Sequence, residues 1–495
     1  MNLCERKVLL LSGPQYYNER KPASARISRF YEHIDPLGIA IVSAVLKKHG
    51  FERKWLPIIP GRVNKLEKYI EEAGFIFISA RHFDTSLTQE VIRIANKHGK
   101  TTVIGGYGPT FNPSAFEEAT VRVSGEAEPV IEKLVDDLLT NKPEKIYDAT
   151  KLPPFDLKDY IWPDRNIFPS SHLPGRNRLK RHPQEWQRGC TNWCSFCSPV
   201  RLQKREIRVR KISDIIAEIE HLKLKKGDYL FSTDLNTAAI PSEELSELFR
   251  HLKNKGIRWF TEGTVAPLVK DLENGGNLLR LMSAKNEIGG CYSFLYGADD
   301  LVKERVEGSL DKQVKLIKKA VQVFREFSIP LNFSIVLGLD HHRYPEAFFQ
   351  TASILKETGA SNIFFQVATP YLGTPWGNLV YREGRVFETE TTHFNHNQPV
   401  ASPKQMTKEQ LQQGVYWIIR QFNNPEKIAK TARANLNPLV MSQNPALGVF
   451  LSSLLWGVER YLSILELSAR GYINKKIQQE LDARFKDWQK RKSLT

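Results

Sequence analysis

The chain has 495 residues, 41% hydrophobic and 25% charged, and a formal net charge of +16. That length predicts two or three domains and a large core. No run of about eighteen apolar residues lacks charges, which excludes a membrane-spanning helix, and five cysteines, three of them clustered, argue against a secreted disulfide framework. The charge suits solubility, an anionic cofactor, RNA or an anionic membrane surface, and selects none of them.

The N-terminus has no signal-peptide layout, which predicts a cytoplasmic protein. Residues 7–12, KVLLLS, form an apolar run ended by Gly13-Pro14 and read as a buried strand. DPLGIAIVSAVLKKHG (35–50) has helical spacing and stops at Gly50. FERKWLPI, a helix near VNKLEKYIEEAG, FIFISA, the helix LTQEVIRIANKHG, TTVIGG, ATVRVSG and the helix EPVIEKLVDDLLT follow. Strand and helix alternate, so residues 1–145 are expected to form a doubly wound, parallel, Rossmann-like α/β domain. Residues 146–182 are rich in Pro, Asp and Arg and read as a linker. From 183 to 400 six strands, EWQRG, DYLFST, RWFTEGT, GGCYSFLYG, PLNFSIVLG and SNIFFQVAT, are separated by amphipathic helices. They fit a partial (β/α)6 TIM-type barrel, with chemistry expected at the C-terminal strand ends. Residues 401–495 are expected to be helical, and include the apolar stretch ALGVFLSSLLWGVERYLSILELSARG and the basic end DARFKDWQKRK.

The loop after the first barrel strand, RGCTNWCSFCSPV, places Cys190, Cys194 and Cys197 at C-x3-C-x2-C spacing. Structural zinc closes with four Cys or His ligands, and no second C-x-x-C pair exists here. Iron–sulfur clusters are held by thiolates, usually four. Three leave one iron open, as a metal that binds substrate requires.

This spacing, with Phe196 before the last cysteine, resembles the signature of radical S-adenosylmethionine (SAM) enzymes. The resemblance implies a [4Fe–4S] cluster on the three cysteines, SAM bound to the open iron, and a 5′-deoxyadenosyl radical. Carried over position by position, it implies SAM contacts at Phe196, at Asp234 and Asn236 of STDLNTA, at Glu262 of WFTEGT, at Asp299 of YGADD, and at Ser334 and Gly338 of NFSIVLGLD. Asp234 also reads as a helix N-cap, and Glu262 as a partner for a lysine. The Asp299 segment departs from the family's Gly-hydrophobic-Glu. TPYLGTPWGNL closely resembles the Thr-Pro-x-x-Gly-Thr-Pro segment of a large subgroup whose barrel follows a cobalamin-binding domain.

Residues 1–145 resemble that domain. The resemblance implies cobalamin contacts at Ser79, Arg81 and His82 of SARHFDTS, at Gly105, Gly106 and Gly108 of VIGGYGPTFNP, and at Glu126 of VSGEAE. The turn SGPQYYNERK lacks the Asp-x-His-x-x-Gly that supplies a cobalt ligand in many such domains. Arg81, lying beneath the corrin, would disfavour a fifth ligand; otherwise it is a loop residue facing solvent or phosphate.

The expectation is a cobalamin-dependent radical SAM methyltransferase that methylates an unactivated carbon of a small, hydrophobic substrate, fed by an external electron donor such as flavodoxin or ferredoxin. It is expected to be monomeric, with peripheral membrane contact through the apolar stretch. Relatives of the same architecture perform cyclisation or rearrangement instead. The basic run RLQKREIRVRK raises RNA modification, which the missing N-terminal cysteine triad disfavours. A non-catalytic protein would have no use for an open cluster loop.

Overall fold

The computed structural model describes residues 6–13, 34–168, 181–285, 287–302, 310–422 and 472–492. The apolar stretch 446–471 and most of the turn after the first strand lie outside them. Among the described residues no helix is long and apolar enough to cross a membrane.

The N-terminal sheet contains β1 (Lys7–Ser12), β2 (Glu52–Pro57), β3 (Phe75–Ser79), β4 (Thr101–Gly105), β5 (Val121–Ser124) and β6 (Ile146–Asp148). It is wholly parallel, in the order β2-β1-β3-β4-β5-β6. Its strands are apolar on both faces because helices cover both. Val8, Leu10, Phe77 and Val103 pack into one core. Their neighbours Leu9, Leu11, Ile76, Ile78 and Ile104 pack into another. The strand order reverses between β1 and β3, and the crevice beyond their C-terminal ends is where open α/β sheets bind ligands. β6 adds a sixth strand just past residue 145, so the sheet extends to Asp148.

The second sheet contains β7 (Arg181–Gln184), β10 (Tyr229–Ser232), β11 (Arg258–Gly263), β12 (Gly290–Asp299), β13 (Leu331–Leu337) and β14 (Ile363–Val367). Its order, β14-β13-β12-β11-β10-β7, is sequential and parallel, with β7 and β14 as free ends, so the barrel is partial. The expected first strand, EWQRG, falls elsewhere. Residues 181–184 pair with β10, whereas β8 (Gln187–Arg188) turns away into a hairpin with β9 (Arg208–Val209). Pro183 does not prevent pairing, because β7 is an edge strand.

The described C-terminal helices, Lys408–Phe422 and Lys475–Lys492, share the barrel's core through Leu411, Val415, Trp417, Leu481 and Phe485. Leu411 fits against Gly338, whose φ is +100° and whose added Cβ would lie 2.6 Å from a Leu411 methyl.

Candidate active site

The three cysteines lie on the loop closed by β8 and β9, at the C-terminal end of the barrel sheet. All three are free thiols and partly exposed. Backbone N–H groups of Asn192 and Val200 point at Cys190 and Cys197. The Cys194 thiol lies 3.8 Å from Asp299 Oδ2. Burial raises Cys190 and lifts Cys197 to about 11, with Asp299 and Glu262 pushing the same way. A thiol donor set held among carboxyls, with Arg201 the cation beside it, suits a metal, whose charge reverses that penalty.

Neighbouring segments brace the loop. Trp376 N–H donates to Ser195 O (3.1 Å), so the Thr-Pro segment holds the cysteines. Phe196 packs with Val336, Leu339 and Trp376. Arg201 donates to Cys194 O (3.0 Å) and lies 3.8 Å over the Trp193 ring.

Glu262 ends β11 inside the barrel mouth. Burial lifts it to about 8, helped by Asp234 and Asp299. No lysine or other partner meets it among the described residues, so it lines the site. Asp299 stands beside it, in left-handed backbone (φ +47°). Ser334 lies partly exposed on β13.

Three expected SAM contacts have other work. Asp234 is fully buried, and its Oδ1 accepts the N–H groups of Trp186 (2.8 Å) and Gln187 (3.1 Å). Its Oδ2 accepts the Thr237 hydroxyl (3.1 Å). It ties the ends of two strands and caps no helix. Burial outweighs these bonds and lifts it to about 7. Asn236 Oδ1 accepts the Thr264 N–H (3.0 Å), stitching β10's end to β11's. Gly338 gives its open side to Leu411 and its N–H to His342 Nδ1 (3.1 Å).

In the N-terminal domain, Ser79 and Arg81 stand at the β1/β3 switch point. Arg81 is paired: Nε and a terminal nitrogen donate to buried Asp84 at 2.8 and 3.1 Å. His82 is half-buried. It stacks on Tyr371 (4.6 Å) and Phe111 (5.7 Å), and its Nε2 is shut off from solvent. Burial lowers its pKa to about 4. Gly106 (φ +105°) is required by the Ala80 carbonyl, 2.6 Å from an added Cβ, and Gly108 by Phe116 and Arg81 O. Their close approaches are thus to the domain's own chain, whereas Gly105 has only ordinary contact with Val123. Glu126 is occupied by Arg208 (2.7 and 2.8 Å) and Arg188 (3.2 Å). Ser79, Arg81 and Gly105 stand at the rim of the switch-point crevice.

Sequence reasoning missed Tyr107. Burial raises its phenol, and Cys197, Glu185 and Glu126 are close enough to raise it further. It sits inside the glycine turn, and only the docking of the two sheets brings it to the cysteine loop. Within the basic run 201–211, Arg208 and Arg210 are spent in ion pairs with Glu126 and Glu218, while Lys204, Arg205 and Lys211 are exposed.

No family model matches the chain. It is 25% identical over 339 residues to bacteriochlorophyllide d C-8(2)-methyltransferase of Chlorobaculum tepidum, covering 65% of this chain and 71% of that one. It is 24% identical over 213 residues to cytidylyl-2-hydroxyethylphosphonate methyltransferase of Streptomyces wedmorensis, covering 42% and 38%. The fold matches radical SAM methyltransferase TsrM of Kitasatospora setae, solved with cobalamin and a [4Fe–4S] cluster (TM-score 0.59, 15% identity, 93% and 99% covered). It also matches the cobalamin-dependent radical SAM enzyme OxsB, solved with aqua-cobalamin and SAM (TM-score 0.60, 12% identity, 90% and 72% covered). Cysteine spacing, two parallel sheets in series and these relatives agree: the chain resembles the radical SAM methyltransferases that carry an N-terminal cobalamin-type domain.

Proposed function

We propose that the protein is a cobalamin-dependent radical SAM methyltransferase acting on an unactivated carbon of a small, hydrophobic substrate. The observation that carries this reading is the pairing of a three-thiol loop with a half-buried carboxyl, Glu262, that meets no partner among the described residues, in one barrel mouth. When bound, the cluster supplies an electron to SAM and the corrin carries a methyl group.

Cys190, Cys194 and Cys197 would hold the cluster and leave its fourth position to SAM. Glu262 and Asp299 favour a cation beside the thiols, which suits the ammonium and sulfonium of SAM. Phe196 and the Thr-Pro segment fix the loop's position. Ser79, Arg81 and Gly105 would border the corrin at the switch point, on the side that faces the barrel. Packing of Phe111 against Gly373, and of His82 against Tyr371, keeps water from the seam between the domains. That the substrate is a small molecule is supported by the relatives, whose names are those of small-molecule methyltransferases. An external flavodoxin or ferredoxin, a monomeric state and a cytoplasmic location complete the reading.

Anaerobic reconstitution with iron, sulfide and hydroxocobalamin tests it. Gel filtration is expected to retain about four irons per chain, corrin absorption bands, and an EPR signal that changes when SAM is added. A Cys194→Ala variant that keeps as much iron as the wild type would sink the proposal.

A further inference from the structure

The cysteine loop has a two-residue neck. Gln187 pairs with Val209, and Arg188 stands directly opposite Arg208. Between these strands lie residues 189–207, with all three cysteines. A ladder this short does not hold by its own hydrogen bonds, and two like charges facing across it oppose its closure. Arg188 is nonetheless buried and Arg208 nearly so, at 7% and 9% side-chain exposure.

A carboxylate from the other domain resolves this conflict. Glu126, in the turn after β5, takes two hydrogen bonds from Arg208 and lies 3.2 Å from Arg188. Glu128, at the start of the next helix, and Glu185 complete the Arg188 shell at 2.5 and 2.8 Å. Arg208 meets no other carboxylate among the described residues. It also donates to Phe155 O and Gln203 O, so the link segment and the loop's own short helix are drawn into the same knot. Gly189 folds back so tightly that an added Cβ would lie 1.9 Å from Glu206 O. The neck thus has a single closed form, and that form needs Glu126.

We propose that Glu126 is the positioning residue of the cysteine loop, making closure of the loop conditional on docking of the N-terminal domain. Loss of its charge leaves Arg208 buried without a counter-charge, a costly state, whereas an open neck returns it to water. Closure itself does not depend on what the loop holds. The consequence at the cluster rests on the function proposed above: the three thiols reach their working arrangement only in the docked chain.

Amide hydrogen exchange on the full-length chain, without reconstitution, reads the closure. In Glu126→Gln, amides of 189–207 are expected to exchange at least about tenfold faster than in the wild type, while those of 242–254 keep their rate. If that variant does not fold, Glu126→Asp, which keeps the charge but draws it back from Arg208 by one methylene, takes its place, with acceleration expected in the same direction. After reconstitution, the variant is expected to retain iron but lose the SAM-induced change in its EPR line shape. Loop amides that exchange at the wild-type rate overturn the proposal, as does acceleration spread evenly into 242–254. A wild-type chain that binds no iron or sulfide sinks the functional reading, while the exchange measurement still decides the role of Glu126.

Discussion

Glu262 shows what a single residue reveals about its site. Burial, then Asp234 and Asp299, hold its carboxyl at about 8. Between pH 4.5 and 8 the folded chain keeps a proton that the unfolded chain has lost, so this group makes stability fall as pH rises through that window. Glu262→Gln is expected to flatten the fall, leaving the cluster-free chain a few kcal/mol more stable than wild type at pH 8. The same variant is expected to weaken SAM binding about tenfold or more in the reconstituted protein. Urea denaturation at pH 5 and pH 8, with SAM equilibrium dialysis, checks both; an equal pH-dependent loss in the two proteins counts against this account. The cysteines were legible in the sequence because a three-ligand loop is local. The Trp186 partner of Asp234, the Thr264 partner of Asn236 and the Arg208 partner of Glu126 were not, because each is met across 28 to 82 residues of chain.

Elements were legible where burial is two-sided. KVLLLS, FIFIS and TTVIG are continuous apolar runs because helices cover both faces of their sheet. EWQRG failed as a barrel strand because its pattern is short and polar, and edge pairing with β10 fell to the residues just before it. The role of Gly338 was similarly hidden. Its conformation suits a ligand approach, yet the space it frees is filled by Leu411 from helix Lys408–Phe422. Gly338→Ala is therefore expected to lower stability by about 1–3 kcal/mol through left-handed strain and overpacking. A lowered urea midpoint, with corrin retention unchanged, is the expected result. A variant as stable as wild type would show that the helix yields instead.

At the scale of the whole molecule, the two sheets meet through buried charge near Glu126 and through rings around His82. Burial holds the His82 ring neutral, with a pKa of about 4 against 6.5 when free. As pH falls below 6.5 the undocked ring takes up a proton first, so the contact is at full strength above 6.5 and is lost towards pH 4. The loss reaches about 3 kcal/mol from His82. His396, 5.5 Å from Tyr371 and also lowered by burial, adds to it. Hydrogen exchange in 369–379 is expected to rise over this range, and His82→Phe, which keeps the stack, is expected to reduce the rise. An unaltered pH profile in His82→Phe would remove His82 from the contact.

The sequence by itself determined the chemistry available: a loop with three thiols within eight residues, and alternating strand and helix periods that dictate two parallel sheets. Both are local, set by spacing and by which faces must leave water. Only the tertiary structure decided which polar residues remain open to a ligand. Each buried carboxylate and each glycine-made space is settled by whatever distant segment fills it, and in this chain the other domain, a neighbouring strand end or a C-terminal helix filled most of those that seemed free.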